Sequence, residues 1–181
     1  IVVTADAYIQ NKTGTATTRY LALAGPLSGS AGTLKIANPT TAPGNIFAVR
    51  FFNSSFTFNR PMIVGDPGYD LSLAFSVMES ANTNGTQTFT GDIAGVGSIR
   101  RLNPFSAGAA AGNTVFSGNN TYSGGTFIAS GTMYANNAIS SLGSGGVLVT
   151  NVGVLAGNGT IGASTTVMAN GTISPGASAG T

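Results

Sequence analysis

The chain has 181 residues, 42% of them hydrophobic and only 7% charged, with seven Lys and Arg, five Asp and Glu, no His and no Cys. Soluble globular domains carry about 25% charged residues. A net charge of +2 spread over isolated groups excludes the clustered basic surface that nucleic acid requires, and the missing His and Cys remove the usual transition-metal ligands.

No apolar run reaches the roughly 20 residues of a membrane helix. The absence of Cys suits an exported protein, and a start at Ile1 without Met or leader suits a processed chain or a fragment. The first part carries all the charge and most of the large apolar residues. Arg19–Leu23 has a mixed pattern, and Asn45–Phe52 is almost continuously apolar, as in a strand buried on both faces. Phe56 and Phe58 share one face, and Leu71, Leu73, Phe75 and Val77 alternate along Asp70–Val77. Breaks fall at Pro26, Pro39–Pro43, Pro61, Asp66–Gly68 and Asn82–Gly85. The expectation is many short strands and no long amphipathic helix.

Three features of this part invite a functional reading. Asp66 and Asp70 flank a Pro-Gly turn and could serve Ca²⁺ or glycosidic cleavage, although an Asp-Pro-Gly turn with solvated acids is the simpler reading. Arg100-Arg101 could grip an acidic glycan, or be a solvated corner. Gly95-Val96-Gly97, like Gly143–Gly146 further on, is no phosphate loop, because no Lys follows and no helix N-terminus is offered.

After Arg101 no charged residue follows. Proton transfer there would have only the phenols of Tyr122 and Tyr134, which titrate far above neutrality. Tyr122 could stack on a sugar or simply cover a turn. The Asn-x-Ser/Thr sequons at Asn11, Asn53, Asn84, Asn119, Asn158 and Asn170 are expected by chance in a chain so rich in Asn and Thr. This part repeats itself: Phe127–Met133, Val149–Leu155 and Val167–Ile173 each read apolar, three mixed residues, Gly, one residue, apolar. A period of about 20 residues signals a solenoid, whose coils pair strand on strand.

The ordered motifs Asn119-Asn120-Thr121-Tyr122-Ser123-Gly124-Gly125-Thr126, Ala129-Ser130-Gly131-Thr132-Met133, Ser141–Gly146, Leu155–Gly162 and Ile173-Ser174-Pro175-Gly176 resemble the autotransporter-associated β-strand repeat, also called the passenger-associated transport repeat. The resemblance is clear over 113–181 and loose over 88–112. It implies a right-handed parallel β-helix in an exported bacterial surface protein, with no enzymatic activity and no catalytic residues to carry over. Phe127-Ile128 stands where the repeat is Val-rich. Members also continue past the final Gly-Thr into another strand, whereas this chain stops at Thr181 with no translocator barrel, so self-export is not expected.

The resulting expectation is an all-β protein. A right-handed parallel β-helix (β-solenoid) spans 88–181, and a β-rich region, 1–87, stacks on it or forms a small β-sandwich. No catalytic residue, cofactor or metal ligand is expected, nor a nucleic-acid partner or membrane span. The function read from this is a non-enzymatic extracellular structural protein, a subunit of a bacterial surface fibre or layer. Its first partner is itself. Ser178–Thr181 followed by Ile1–Ala5 of another copy reads like the strand the repeat places after this Gly-Thr. Ile1, Val2, Val3 and Thr4 would then add as a strand beside Gly180 and Thr181 of a neighbour, giving a head-to-tail homopolymer. The alternative is a passenger-type adhesin fragment that binds glycan or host protein through loops of the first half, with Tyr69 and Arg100 as its test positions. A polysaccharide-cleaving enzyme would need carboxylates beside Lys, Arg or His on one face, and the chain is nearly bare of them.

Overall fold

Alternation of apolar and small polar side chains sets the strands. In Phe56-Thr57-Phe58 both rings are buried and the threonine is exposed, and Asn113–Phe116 repeats the pattern with Thr114 and Phe116 inside. The computed structural model describes residues 1–10, 19–38, 46–52, 55–66, 75–81, 85–102 and 112–176. Over these residues the protein is all-β, without helix, and so without any helix long and apolar enough to cross a membrane.

In chain order the strands are β1 (Val2–Val3), β2 (Ala7–Gln10), β3 (Arg19–Ala24), β4 (Ser28–Gly29), β5 (Leu34–Ala37), β6 (Ile46–Phe52), β7 (Phe56–Phe58), β8 (Met62–Val64) and β9 (Phe75–Ala81). There follow β10 (Thr86–Phe89), β11 (Ile93–Ala94), β12 (Ser98–Arg101), β13 (Asn113–Phe116), β14 (Thr126–Ala135), β15 (Val147–Gly157), β16 (Thr165–Val167) and β17 (Thr172–Pro175). The expected run over Asp70–Val77 survives from Phe75 onward, while Leu71 and Leu73 lie outside the described residues.

The strands pair in parallel ladders. One ladder is β2-β5-β8-β11. A second runs β3-β6-β9-β12 into the first part of β14, then the first part of β15, then β16. A third runs β7-β10-β13 into the second part of β14, then the second part of β15, then β17. The short β1 lies parallel to β4. Among the described residues a single antiparallel bridge, Gly157 to Gly176, stands outside these ladders. Residues before and after position 87 share all three ladders, since β8 pairs β11, β9 pairs β12 and β7 pairs β10.

From its glycine onward the repeat is the register, while Phe127 pairs Leu148 rather than the Val149 that the repeat sets opposite it. Gly131 lies beside Gly153, Met133 beside Leu155, Leu155 beside Ile173, and Val149 beside Val167. One irregularity interrupts it: Ile128 pairs Val149 but Ser130 pairs Val152, so β15 carries one extra residue there. Asn151 takes φ 54 within that bulge, a conformation asparagine tolerates better than most side chains.

A single apolar core follows the ladders from Val3 and Leu34 to Val149 and Leu155. Its bulkiest part is aromatic. Phe58, Phe89 and Phe116 occupy one register position, and the rings of Phe89 and Phe116 are 5.4 Å apart. Phe51 and Phe56 meet Phe89 at 5.8 and 5.5 Å, in the tilted and edge-on arrangements that ring quadrupoles favour.

Candidate functional site

Period-two geometry splits the arginine pair. Arg100 stands half-buried on the outer face of β12, and Arg101 points inward with no exposed surface. The Arg101 guanidinium donates to the carbonyls of Leu102, at 3.0 Å, and of Gly112. Burial pushes its pKa down to about 10. Only Arg100 of the pair therefore faces solvent chemistry.

Tyr122 is fully buried, so it is no sugar platform. Its hydroxyl shares a 2.6 Å hydrogen bond with Thr126 Oγ1, and burial pushes the phenol well above its ordinary value of 10.0. A phenol whose folded-state pKa is raised stabilises fully below its unfolded value, and that contribution is lost as pH rises past 10. Tyr122→Phe is expected to cost about 1 kcal/mol at pH 7 and to flatten the fall of Tm between pH 9 and 11.5. Thermal melts of both proteins across that range check it.

Two of the described carboxylates, Asp6 and Asp92, serve the main chain. Asp6 Oδ1 accepts from Thr33 N and Asp92 Oδ1 from Asn119 N, both at 2.8 Å and both 27 residues apart. Asp66 Oδ2 accepts from the Tyr8 hydroxyl at 3.4 Å, and Lys35 Nζ donates to that hydroxyl at 2.9 Å. This contact raises the Lys35 pKa. Asp70 and Tyr69 lie outside the described residues, as do Asn11, Asn53 and Asn84. Among the described residues no three acidic, His or Cys side chains gather to hold a metal.

What the fold does expose is strand edge. Among the described residues β2 and β3 begin two ladders, β16 and β17 end two, and β1 has β4 on one side. A strand with one partner presents unpaired N–H and C=O groups along its other side. The same strands carry apolar side chains in solvent: Val2 is 68% exposed and Tyr8 42% at one end, and Ile173 is 47% and Val167 43% exposed at the other. Of the expected contact residues, Val2 and Val3 pair with Ser28 and Gly29 of their own chain, and the Ile1 ammonium donates to Pro26 O at 2.8 Å. Val3 is buried, while Ile1, Val2 and Thr4 are exposed. Gly180 and Thr181 lie outside the described residues. Comparison with protein-family models, curated proteins and solved structures finds no match.

Two features escaped sequence reasoning. Asn120, with no exposed surface, accepts from Ile93 N at 2.9 Å and donates to Ser141 O at 2.6 Å, bridging segments on either side of its own. A surface groove of about 450 Å³ lies beside Arg100, Phe127 and Leu148, with Gly124, Gly125 and Gly146 along it. The repeat alignment did not announce the groove, because it sets Phe127 opposite Val149, whereas the ladder pairs Phe127 with Leu148.

Proposed function

We propose that the three parallel ladders are the faces of one β-solenoid, right-handed as the repeat resemblance implies, and that the protein is a non-enzymatic, extracellular structural subunit of a bacterial surface fibre or layer. The observation that carries this reading is the presence, among the described residues, of strands with one partner at both ends of the ladders, with exposed apolar side chains at each end. Its support is geometric. Ladder partners recur after about 20–30 residues, enough for a coil of short strands and turns. β17 of one copy meets β1 of the next, and β16 meets β3, with all strands running the same way. In this arrangement β1 keeps its pairing with β4 and receives the neighbour on its opposite side. Such a contact is heterologous and does not close, so it propagates. Charge repulsion opposes it little, because the chain carries no charge after Arg101.

Sedimentation velocity over a hundredfold concentration range tests the reading. The wild-type protein is expected to form polymers that grow with concentration. Val167→Lys with Ile173→Lys, on β16 and β17, places inward-facing charge on the edge and is expected to leave monomers with unchanged circular dichroism. A wild-type protein that stays monomeric throughout would overturn the proposal.

A further inference from the structure

We infer that the outward face of the third ladder joins two fibres side by side, its partner being the same face of a second copy. The inference rests on the fibre reading above and adds a second, lateral contact to it. The strands of this ladder, β7, β10, β13, the second parts of β14 and β15, and β17, hold no charged residue. The other two ladders do, with Lys35 on β5, Arg50 on β6 and Arg100 on β12. Thr57, Thr88, Val115, Tyr134, Ala156 and Ser174 share one register position along the third ladder. Their chain neighbours Phe58, Phe89, Phe116, Ala135 and Leu155 are buried, so period-two alternation turns this row outward. A second outward row runs from Thr86 on β10 to Thr172 on β17. The extra residue of β15 lies before both rows, so neither is interrupted.

Parallel sheets are ordinarily covered on both faces. The apolar core covers one face of this sheet, and the other meets solvent with short side chains carrying methyl and hydroxyl groups. Such a face offers no charge to an ionic ligand. Tyr134 is half-buried, so a sugar finds no open ring to stack on. What the face does offer is a regular repeat of about 4.8 Å along the ladder. A second face with the same repeat matches it strand for strand, and short side chains let two such sheets interdigitate. No like charges oppose the approach.

Area decides when the contact forms. The six strands of this ladder, about 4.8 Å apart and each about four residues long at about 3.3 Å, present roughly 400 Å² per copy. A stable interface needs about 800 Å² per partner, so single subunits do not pair. Successive subunits of a fibre multiply the area. The face also runs the length of the subunit. It ends on β17, and at the other end a Cβ at Gly29 of β4 would meet the Phe58 ring of β7 at 3.2 Å. Ser28 and its partner Val2 are exposed and uncharged, so the face continues across the contact between β17 and β1.

Cryo-electron microscopy of the fibres tests the inference. The expected image of the wild-type protein is paired filaments, twice the width of a single one, joined through the third ladder about a two-fold axis. Thr57→Lys with Thr132→Lys sets like charges against each other across the contact and is expected to give single filaments of unchanged length. Thr57 is exposed, so Thr57→Lys alone keeps its fold and should by itself lower the paired fraction. Ala94→Lys with Leu148→Lys adds the same charge on the other two ladders and should leave the filaments paired. Unpaired wild-type filaments, pairing through another ladder, pairing that survives Thr57→Lys with Thr132→Lys, or pairing lost equally with Ala94→Lys and Leu148→Lys would each overturn the inference and leave the fibre reading standing. Absence of any filament would overturn the fibre reading and this inference with it.

Discussion

Gly131→Ala is expected to destabilise the protein by about 3–5 kcal/mol, with little change from the neighbouring Thr132→Ala. Gly131 has φ +66, a conformation that costs an L side chain about 1–2 kcal/mol. A Cβ there would also lie 2.6 Å from the carbonyl oxygen of Gly112 and 2.8 Å from Cζ of Arg101. That carbonyl is the acceptor of the buried guanidinium. The methyl group must therefore displace either main chain or a buried charge from its hydrogen bond, and an uncompensated buried charge costs several kcal/mol. Urea unfolding checks it through a lowered midpoint at constant m-value. A midpoint within experimental error of wild type would mean that Arg101 does not occupy the space beside Gly131.

Asn120→Ala is expected to cost about 2–4 kcal/mol. The substitution strands two buried main-chain groups, the N–H of Ile93 and the C=O of Ser141, in residues with no exposed surface. Leaving a buried polar group unsatisfied costs about 1–3 kcal/mol. Asn120→Asp separates the two bonds. It keeps the acceptor for Ile93 and loses the donor to Ser141. It also buries an acid whose pKa is pushed up by burial, and a raised folded-state pKa means that stability falls as pH rises through the carboxyl range. This variant should therefore be more stable at pH 4 than at pH 7, the reverse of an exposed aspartate. Denaturant melts at the two values check the sign.

The second part of the chain was legible because its repeat units are short and similar. Gly131 and Gly153, with Met133 and Leu155 after them, align by eye, and that part of the alignment is the register between β14 and β15. The extra residue of β15 at Asn151 was not legible, since a bulge leaves the apolar pattern on either side intact. In the first part, loops of differing length separate the strands and no glycine marks the phase. Pairing there rests on aromatic packing among Phe51, Phe56, Phe58 and Phe89, which no local pattern announces. The opposite fates of Arg100 and Arg101 follow from period-two alternation around Ile99. Two adjacent like residues read as a pair until the strand is in place. The groove has no local signature because its wall comes from three strands.

The fibre account turns on ladders that continue from one copy into the next. Fibre diffraction from concentrated, aligned protein at neutral pH tests this most directly. The account predicts oriented filaments with a reflection near 4.8 Å on the meridian, from strands stacked along the fibre axis. Protein that yields no filaments, or filaments with that reflection on the equator, would contradict it.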